Sequence, residues 1–175
     1  GLVGEDGATH HGAYDLSYMR CIPGMTIAAP MNEAELRNML YSAQLPSWGM
    51  STIRYPRGNG EGVPWKNMPF EEIVPGTSRL LNDGEEIAVI TIGTTGNAAA
   101  GAVEEAKKRG VNPMHIDLRF LKPFDEDAVL KAATKCKRII TVEDGTILGG
   151  LYSAISEFVA SRLLNVKVEG LGIPD

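Results

Sequence analysis

Short apolar runs alternate along the chain with stretches whose apolar residues recur every three or four positions, the pattern of a largely parallel sheet with crossover helices. Met25 to Pro30 reads as a strand closed by its proline. Asn32 is placed to cap a helix over 33–44, with Leu36, Met39, Leu40 and Ala43 as its apolar face. Ser51 to Tyr55 is the next strand, halted by Pro56. From Arg57 to Gly76 neither period persists. Gly58, Gly60, Gly62, Pro64, Pro69 and Pro75 make this an extended strap, with Trp65, Met68 and Phe70 as its expected anchors.

After Gly76 the alternation resumes. Ser78 to Leu81 and Glu86 to Ile92 read as strands, and Asn82-Asp83-Gly84 between them is a hairpin signal. Thr94 or Thr95 is the expected cap of an alanine-rich helix through Lys108, with Ala99, Ala102, Val103 and Ala106 as its buried stripe and Gly110 as its stop. Met114 to Leu118 is a strand, and His115 within it reads as a core histidine. Asp125 caps a helix over 126–134, and Arg138 to Val142 is a β-branched strand suited to a sheet centre. Leu151, Ala154, Ile155, Phe158, Val159 and Leu163 keep helical spacing before a last strand from Val166 to Leu171. The fold class is α/β.

Composition narrows the function. With 43% hydrophobic residues over 175 positions the chain can fill one ordinary core or two small ones. A net charge of −5 argues against a nucleic-acid partner. No apolar run approaches the ~20 residues of a membrane span and no signal-peptide pattern opens the chain, so neither a membrane nor export is expected. Cys21 and Cys136 lie far apart without metal-ligand spacing and read as buried free thiols.

The chemistry gathers at the start, where four glycines among twelve residues frame Asp6, His10 and His11. This is the composition of an active-site loop. Because the first residue already belongs to it, the chain is expected to be a piece of a longer polypeptide. His10, with a free pKa near ~6.5, suits proton shuttling or hydrogen-bond donation, and Asp6 suits contact with a substrate hydroxyl. The competing readings are a loop that satisfies its own backbone, and a metal site whose remaining ligands would come from elsewhere.

Arg54-Tyr55-Pro56-Arg57-Gly58-Asn59-Gly60 sets two arginines at a strand end, where open α/β sheets bind ligands. A guanidinium fork suits phosphate, and Arg57, at the mouth of the loop, is better placed than Arg54. The competing reading makes both arginines surface ion-pair partners. Gly93-Thr94-Thr95-Gly96, and Glu143-Asp144-Gly145 leading to Gly149-Gly150, could each hold an anion at a helix start, but match no phosphate-loop or dinucleotide fingerprint. Capping and tight turns are the better account. No comparable chemistry follows residue 76.

Gly-Glu-Asp-Gly-Ala-Thr-His-His-Gly-Ala-Tyr-Asp-Leu-Ser-Tyr-Met-Arg-Cys-Ile-Pro at 4–23 resembles the thiamine-diphosphate enzymes of the transketolase superfamily, and within it the 1-deoxy-D-xylulose-5-phosphate synthases. Arg-Tyr-Pro-Arg-Gly-Asn at 54–59, Asp-Leu-Arg-Phe-Leu-Lys-Pro-Phe-Asp at 117–125 and Thr-Val-Glu-Asp-Gly at 141–145 agree with it in order. The resemblance implies that residues 1–57 are the final part of a pyrimidine-binding domain. It implies an interdomain linker at 58–76 and a three-layer α/β transketolase C-terminal domain, its end truncated, at 77–175.

By the same resemblance the parent enzyme decarboxylates pyruvate and joins the two-carbon unit to glyceraldehyde 3-phosphate, feeding isoprenoid and thiamine synthesis. A homodimer in the bacterial cytoplasm is implied, with a plastid as the other location. His10 matches the family's active-site histidine, Asp6 a substrate-contacting aspartate, and Arg57 the arginine that holds the acceptor's phosphate. Thiamine diphosphate and Mg2+ would be bound mainly by upstream regions, so this piece alone is expected to be inactive. Two other readings stand beside this one: a superfamily member with a different donor or acceptor, and a non-catalytic dimerisation or structural module.

Overall fold

In the computed structural model, which describes residues 1–175, two sheets share one crossing segment. In the first, β1 (Thr26–Ala28) pairs parallel with β2 (Ser51–Ile53) on one edge and antiparallel with β6 (Phe120–Lys122) on the other. The second contains β3 (Arg79–Asn82), β4 (Glu86–Thr91), β5 (Met114–Asp117), β7 (Cys136–Thr146) and β8 (Lys167–Ile173), in the order β3-β5-β4-β7-β8. Only β3 runs antiparallel to its neighbour. The helices are α1 (Asp15–Arg20), α2 (Glu33–Ser42), α3 (Thr95–Lys108), α4 (Glu126–Lys135) and α5 (Leu151–Ser161). No helix is long and apolar enough to cross a membrane.

Local chemistry explains the helix starts. Asn32 Oδ1 accepts from the Glu35 N–H at 3.0 Å and Asp125 Oδ1 from the Ala128 N–H at 2.9 Å, so both expected caps form. At α3 neither threonine caps. Thr94 makes no side-chain capping bond, and the Thr95 hydroxyl donates backward to the Ile92 and Val142 carbonyls, tying the helix to β4 and β7.

The hairpin expectation fails, because β5 lies between β3 and β4. A Cβ on Gly84 would collide with the backbone at 112–114, so glycine here lets the strand entering β5 pass beneath the turn. The Asn82 amide spans that passage, donating to Asn112 Oδ1 at 2.9 Å and the Pro113 carbonyl at 2.6 Å. Other faces also differ. On α2 the buried positions are Glu35, Met39 and Ser42, while Leu40 is exposed. Ala102 on α3 is exposed, and Leu163 lies beyond the end of α5 in solvent. Of the two thiols only Cys136 is buried, since Cys21 sits exposed just past α1.

The strap is fastened by a residue its composition did not single out. Ile73 is buried with Ala28, Met39, Trp48 and Phe120, its N–H donating to Ser42 Oγ at 2.8 Å and its carbonyl accepting from Trp48 Nε1 at 2.8 Å. Met68 and Phe70 stay more than half exposed and Trp65 is 37% exposed, although Phe70 stacks on Tyr41 at 4.8 Å and carries the Arg37 guanidinium on its face.

The α2 face is turned by charge. Glu35 receives a bidentate pair of hydrogen bonds from Arg119 Nε and Nη2, at 2.8 and 2.9 Å, and lies 3.2 Å from Arg79 Nη1. Arg79 in turn donates twice to the fully buried Asp117, at 3.1 and 2.7 Å. Burial pushes the Asp117 carboxyl up, against the pull of Arg79. Removing the shared acceptor leaves two half-buried guanidiniums short of partners. Glu35→Ala is therefore expected to cost roughly 3 kcal/mol in urea denaturation, whereas Glu104→Ala, which breaks an exposed pair with Lys107, leaves the midpoint essentially unmoved.

Candidate functional site

The first fourteen residues fold into two single helical turns, Gly4–Asp6 and Ala8–His10, before α1 begins. The adjacent histidines take different roles. His11 Nδ1 accepts the Val3 N–H at 3.1 Å, so its ring closes the loop upon itself. His10 is exposed at the end of the second turn, with Nδ1 3.0 Å from Thr9 Oγ1 and Nε2 outside any hydrogen bond within the chain.

β2 delivers the arginines to the same place. An open cleft of about 560 Å³ is lined by His10 and Arg57 together with Val3, Asp15, Tyr18 and Arg54. Asp6 does not line it, and its carboxylate instead pairs with the Arg57 guanidinium. Arg57 remains 69% exposed. Arg54 is not a surface ion-pair partner. Its side chain is 11% exposed and donates to the Gly12 and Asp144 carbonyls, with Nε 3.2 Å from Asp15 Oδ2.

The end of β7 braces the segments that carry this cleft from the second sheet, although no residue after 76 lines it. Thr146 N–H donates to the Ala13 carbonyl at 2.7 Å, and Asp144 Oδ1 lies 3.4 Å from the Leu2 N–H. Glu143, 3% exposed, accepts from the Leu151 and Tyr152 N–H groups at 2.8 and 2.9 Å. Gly150 is required beside it, because a Cβ there would strike that carboxylate. The α5 start is thus occupied by an anion of the chain itself, in line with the capping account. His115 is likewise a core residue, 1% exposed with Nε2 3.1 Å from Thr91 Oγ1, and burial lowers its pKa so that the ring stays neutral.

The residues present do not form a magnesium site. No three His, Cys, Asp or Glu side chains gather as an ion would require, and the carboxylates of Asp15 in the cleft and of Asp6 beside it face arginines. What the cleft offers is cationic and imidazole chemistry toward an anionic ligand.

Residues 76–175 match the family model of the transketolase C-terminal domain, and residues 1–62 that of the transketolase pyrimidine binding domain. The 1-deoxy-D-xylulose-5-phosphate synthase of Bacteroides thetaiotaomicron is 52% identical over 176 aligned residues, covering 100% of this chain and 27% of that protein. The corresponding synthase of Chlorobaculum tepidum is 42% identical, again over 100% of this chain and 27% of its own length. The chain thus spans about a quarter of the curated relatives it matches. Among solved structures, a split gene transketolase described as an inactive beta4 tetramer aligns with a TM-score of 0.84 at 26% identity, over 95% of this chain and 54% of that one. A Campylobacter jejuni transketolase, at 19% identity and TM-score 0.65 over 97% of this chain and 25% of that one, shares the fold.

Burial holds the Glu143 carboxyl above its ordinary value of 4.5, opposed by the Tyr152 and Leu151 N–H groups and by Arg54 and Arg20. The folded chain therefore keeps a proton at pH values where the unfolded chain has released it. That contribution to stability is fully present below 4.5 and is lost as pH rises through the raised pKa. Urea titrations at stepped pH are expected to show a flatter fall above 4.5 for Glu143→Gln than for the wild type; identical slopes would rule out this origin.

Proposed function

The chain belongs to the transketolase family, and from that premise we propose that its cleft is the acceptor side of a thiamine-diphosphate-dependent active site. The whole enzyme, in this reading, is a 1-deoxy-D-xylulose-5-phosphate synthase. It decarboxylates pyruvate and joins the two-carbon unit to glyceraldehyde 3-phosphate. The observation that carries this is the joint lining of one cleft by His10 and Arg57, supported by 42–52% identity to synthases of that name. Thiamine diphosphate supplies the carbanion chemistry when bound. This chain gathers no carboxylate or histidine cluster for a metal ion, and in this reading the cofactor and Mg2+ are held mainly by other parts of the enzyme, so that the chain alone is inactive.

The chain's own residues then have separable tasks. Arg57, exposed and held only by Asp6, is the phosphate fork for the acceptor, and a dianionic phosphate competes with the single Asp6 carboxylate for it. Asp6, released from that pair, meets a substrate hydroxyl. His10, whose Nε2 is free of other partners within the chain, donates to or takes a proton from the reacting oxygen, a role suited to imidazole near neutral pH. His11 stays outside the chemistry, because its Nδ1 is committed to Val3.

A second reading draws on the likeness to the inactive beta4 tetramer: this pair of domains assembles with copies of itself and becomes active only with a complementary chain. Light scattering of the purified chain decides it, since a monomer at micromolar concentration excludes that assembly.

In the complete enzyme, Arg57→Ala is expected to raise KM for glyceraldehyde 3-phosphate by about 10- to 150-fold, the equivalent of roughly 1.5–3 kcal/mol for a charge-assisted pair, and to leave pyruvate KM nearly unchanged. His10→Ala is expected to lower kcat by about 10²–10⁴ with smaller KM effects. An Arg57→Ala enzyme with an unaltered acceptor KM would remove the phosphate assignment.

A further inference from the structure

Arg54 lines the same cleft as Arg57, yet its surroundings are those of a fastening. It follows β2 directly, and its backbone N–H extends the ladder by donating to the Ala28 carbonyl at 2.8 Å. From that fixed root the guanidinium reaches three segments at once. Nη2 donates to the Gly12 carbonyl, two residues beyond His10, and to the Asp144 carbonyl at the end of β7. Nε faces Asp15 in the first turn of α1. Arg57 stands three residues further along the same strand exit.

We propose that Arg54 is a positioning residue, joining the His10 loop, the Arg57 strand exit and the tail of β7 so that imidazole and phosphate fork face each other across the cleft. It is not a phosphate ligand. Nη2 is already engaged by the Gly12 and Asp144 carbonyls, Nε is turned to the Asp15 carboxylate as a charge contact without a hydrogen bond, and the side chain is nearly closed to solvent, whereas Arg57 is open. A lysine in its place would carry the charge as a point and could not span two carbonyls and a carboxylate from one planar group. The loop would then shift relative to β2. Displacements of about 1 Å at a reacting group cost on the order of 100-fold in rate.

The inference rests on the functional reading above, so its test has one arm that needs no catalysis. In the full chain, hydrogen exchange at the Gly12 and Thr146 amides is expected to quicken at least tenfold in Arg54→Lys, while the β4 amides keep their protection. In the complete enzyme, Arg54→Lys is expected to lower kcat by about 10- to 100-fold, with the KM values for pyruvate and the aldehyde phosphate changing less than about threefold. Asp15→Asn, which keeps the shape of the site and removes one partner charge, is expected to show a smaller loss of the same kind and guards against a lysine variant that misfolds. Unchanged exchange at Gly12 and Thr146 would overturn the proposal whatever the reaction proves to be. An aldehyde-phosphate KM raised more than tenfold with kcat intact would overturn it too, by making Arg54 a ligand. A wild-type enzyme inert toward pyruvate and the aldehyde phosphate would refute the functional reading and leave the exchange result to decide the fastening.

Discussion

The passage of the chain from Asp117 to Lys122 is the joint on which both sheets depend. β5 ends in the second sheet at Asp117, and three residues later β6 begins in the first. Between them Arg119 takes φ of 60°, a left-handed conformation that costs a side-chain-bearing residue roughly 1–2 kcal/mol. Its bidentate contact with Glu35 offsets that cost. The reward for the crossing is Phe120, fully buried and edge-on to Trp48 at 5.2 Å. Without β6, one edge of β1 would be bare and the small core of Ala28, Met39, Trp48 and Ile73 would lose its largest partner after the tryptophan.

The cleft inherits its shape from this joint. Its walls come from the opening loop and the exit of β2, but the floor is tied to the far sheet through Ala13 with Thr146 and Arg54 with Asp144. Ser17 and Arg20 of α1 add bonds to the Leu148 and Gly149 carbonyls just beyond β7. A motion of one unit against the other would therefore reach His10 and Arg57 directly. Buried Glu143 extends the same rigidity into α5, because its two oxygens hold the first N–H groups of that helix.

Much of this was legible in the chain, and the exceptions share a cause. The Asn32 and Asp125 caps, the apolar period of α5 and the strand around Ile139 and Ile140 depend on neighbours in sequence, and they formed where the pattern put them. His10 and Arg57, 47 positions apart, were also brought to one cleft. Long-range chemistry was invisible. Nothing near Glu35 announces Arg79 and Arg119, so period alone gives the leucines of α2 the buried face that the carboxylate occupies. Asn82-Asp83-Gly84 carries a sound local turn signal, and only the strand passing beneath Gly84 shows that the turn joins strands that never pair. Arg54 looked like its neighbour Arg57 until its partners arrived from residues 12, 15 and 144.

The strap between the units gains a different meaning from the way β6 is lent to the other sheet. Since each half of the chain supplies a strand, a core aromatic or a buried ion to the other, covalent continuity through the glycine- and proline-rich stretch is not what keeps them together. A nick there would leave two interlocked polypeptides, deprived of little more than the high effective concentration that a tether confers.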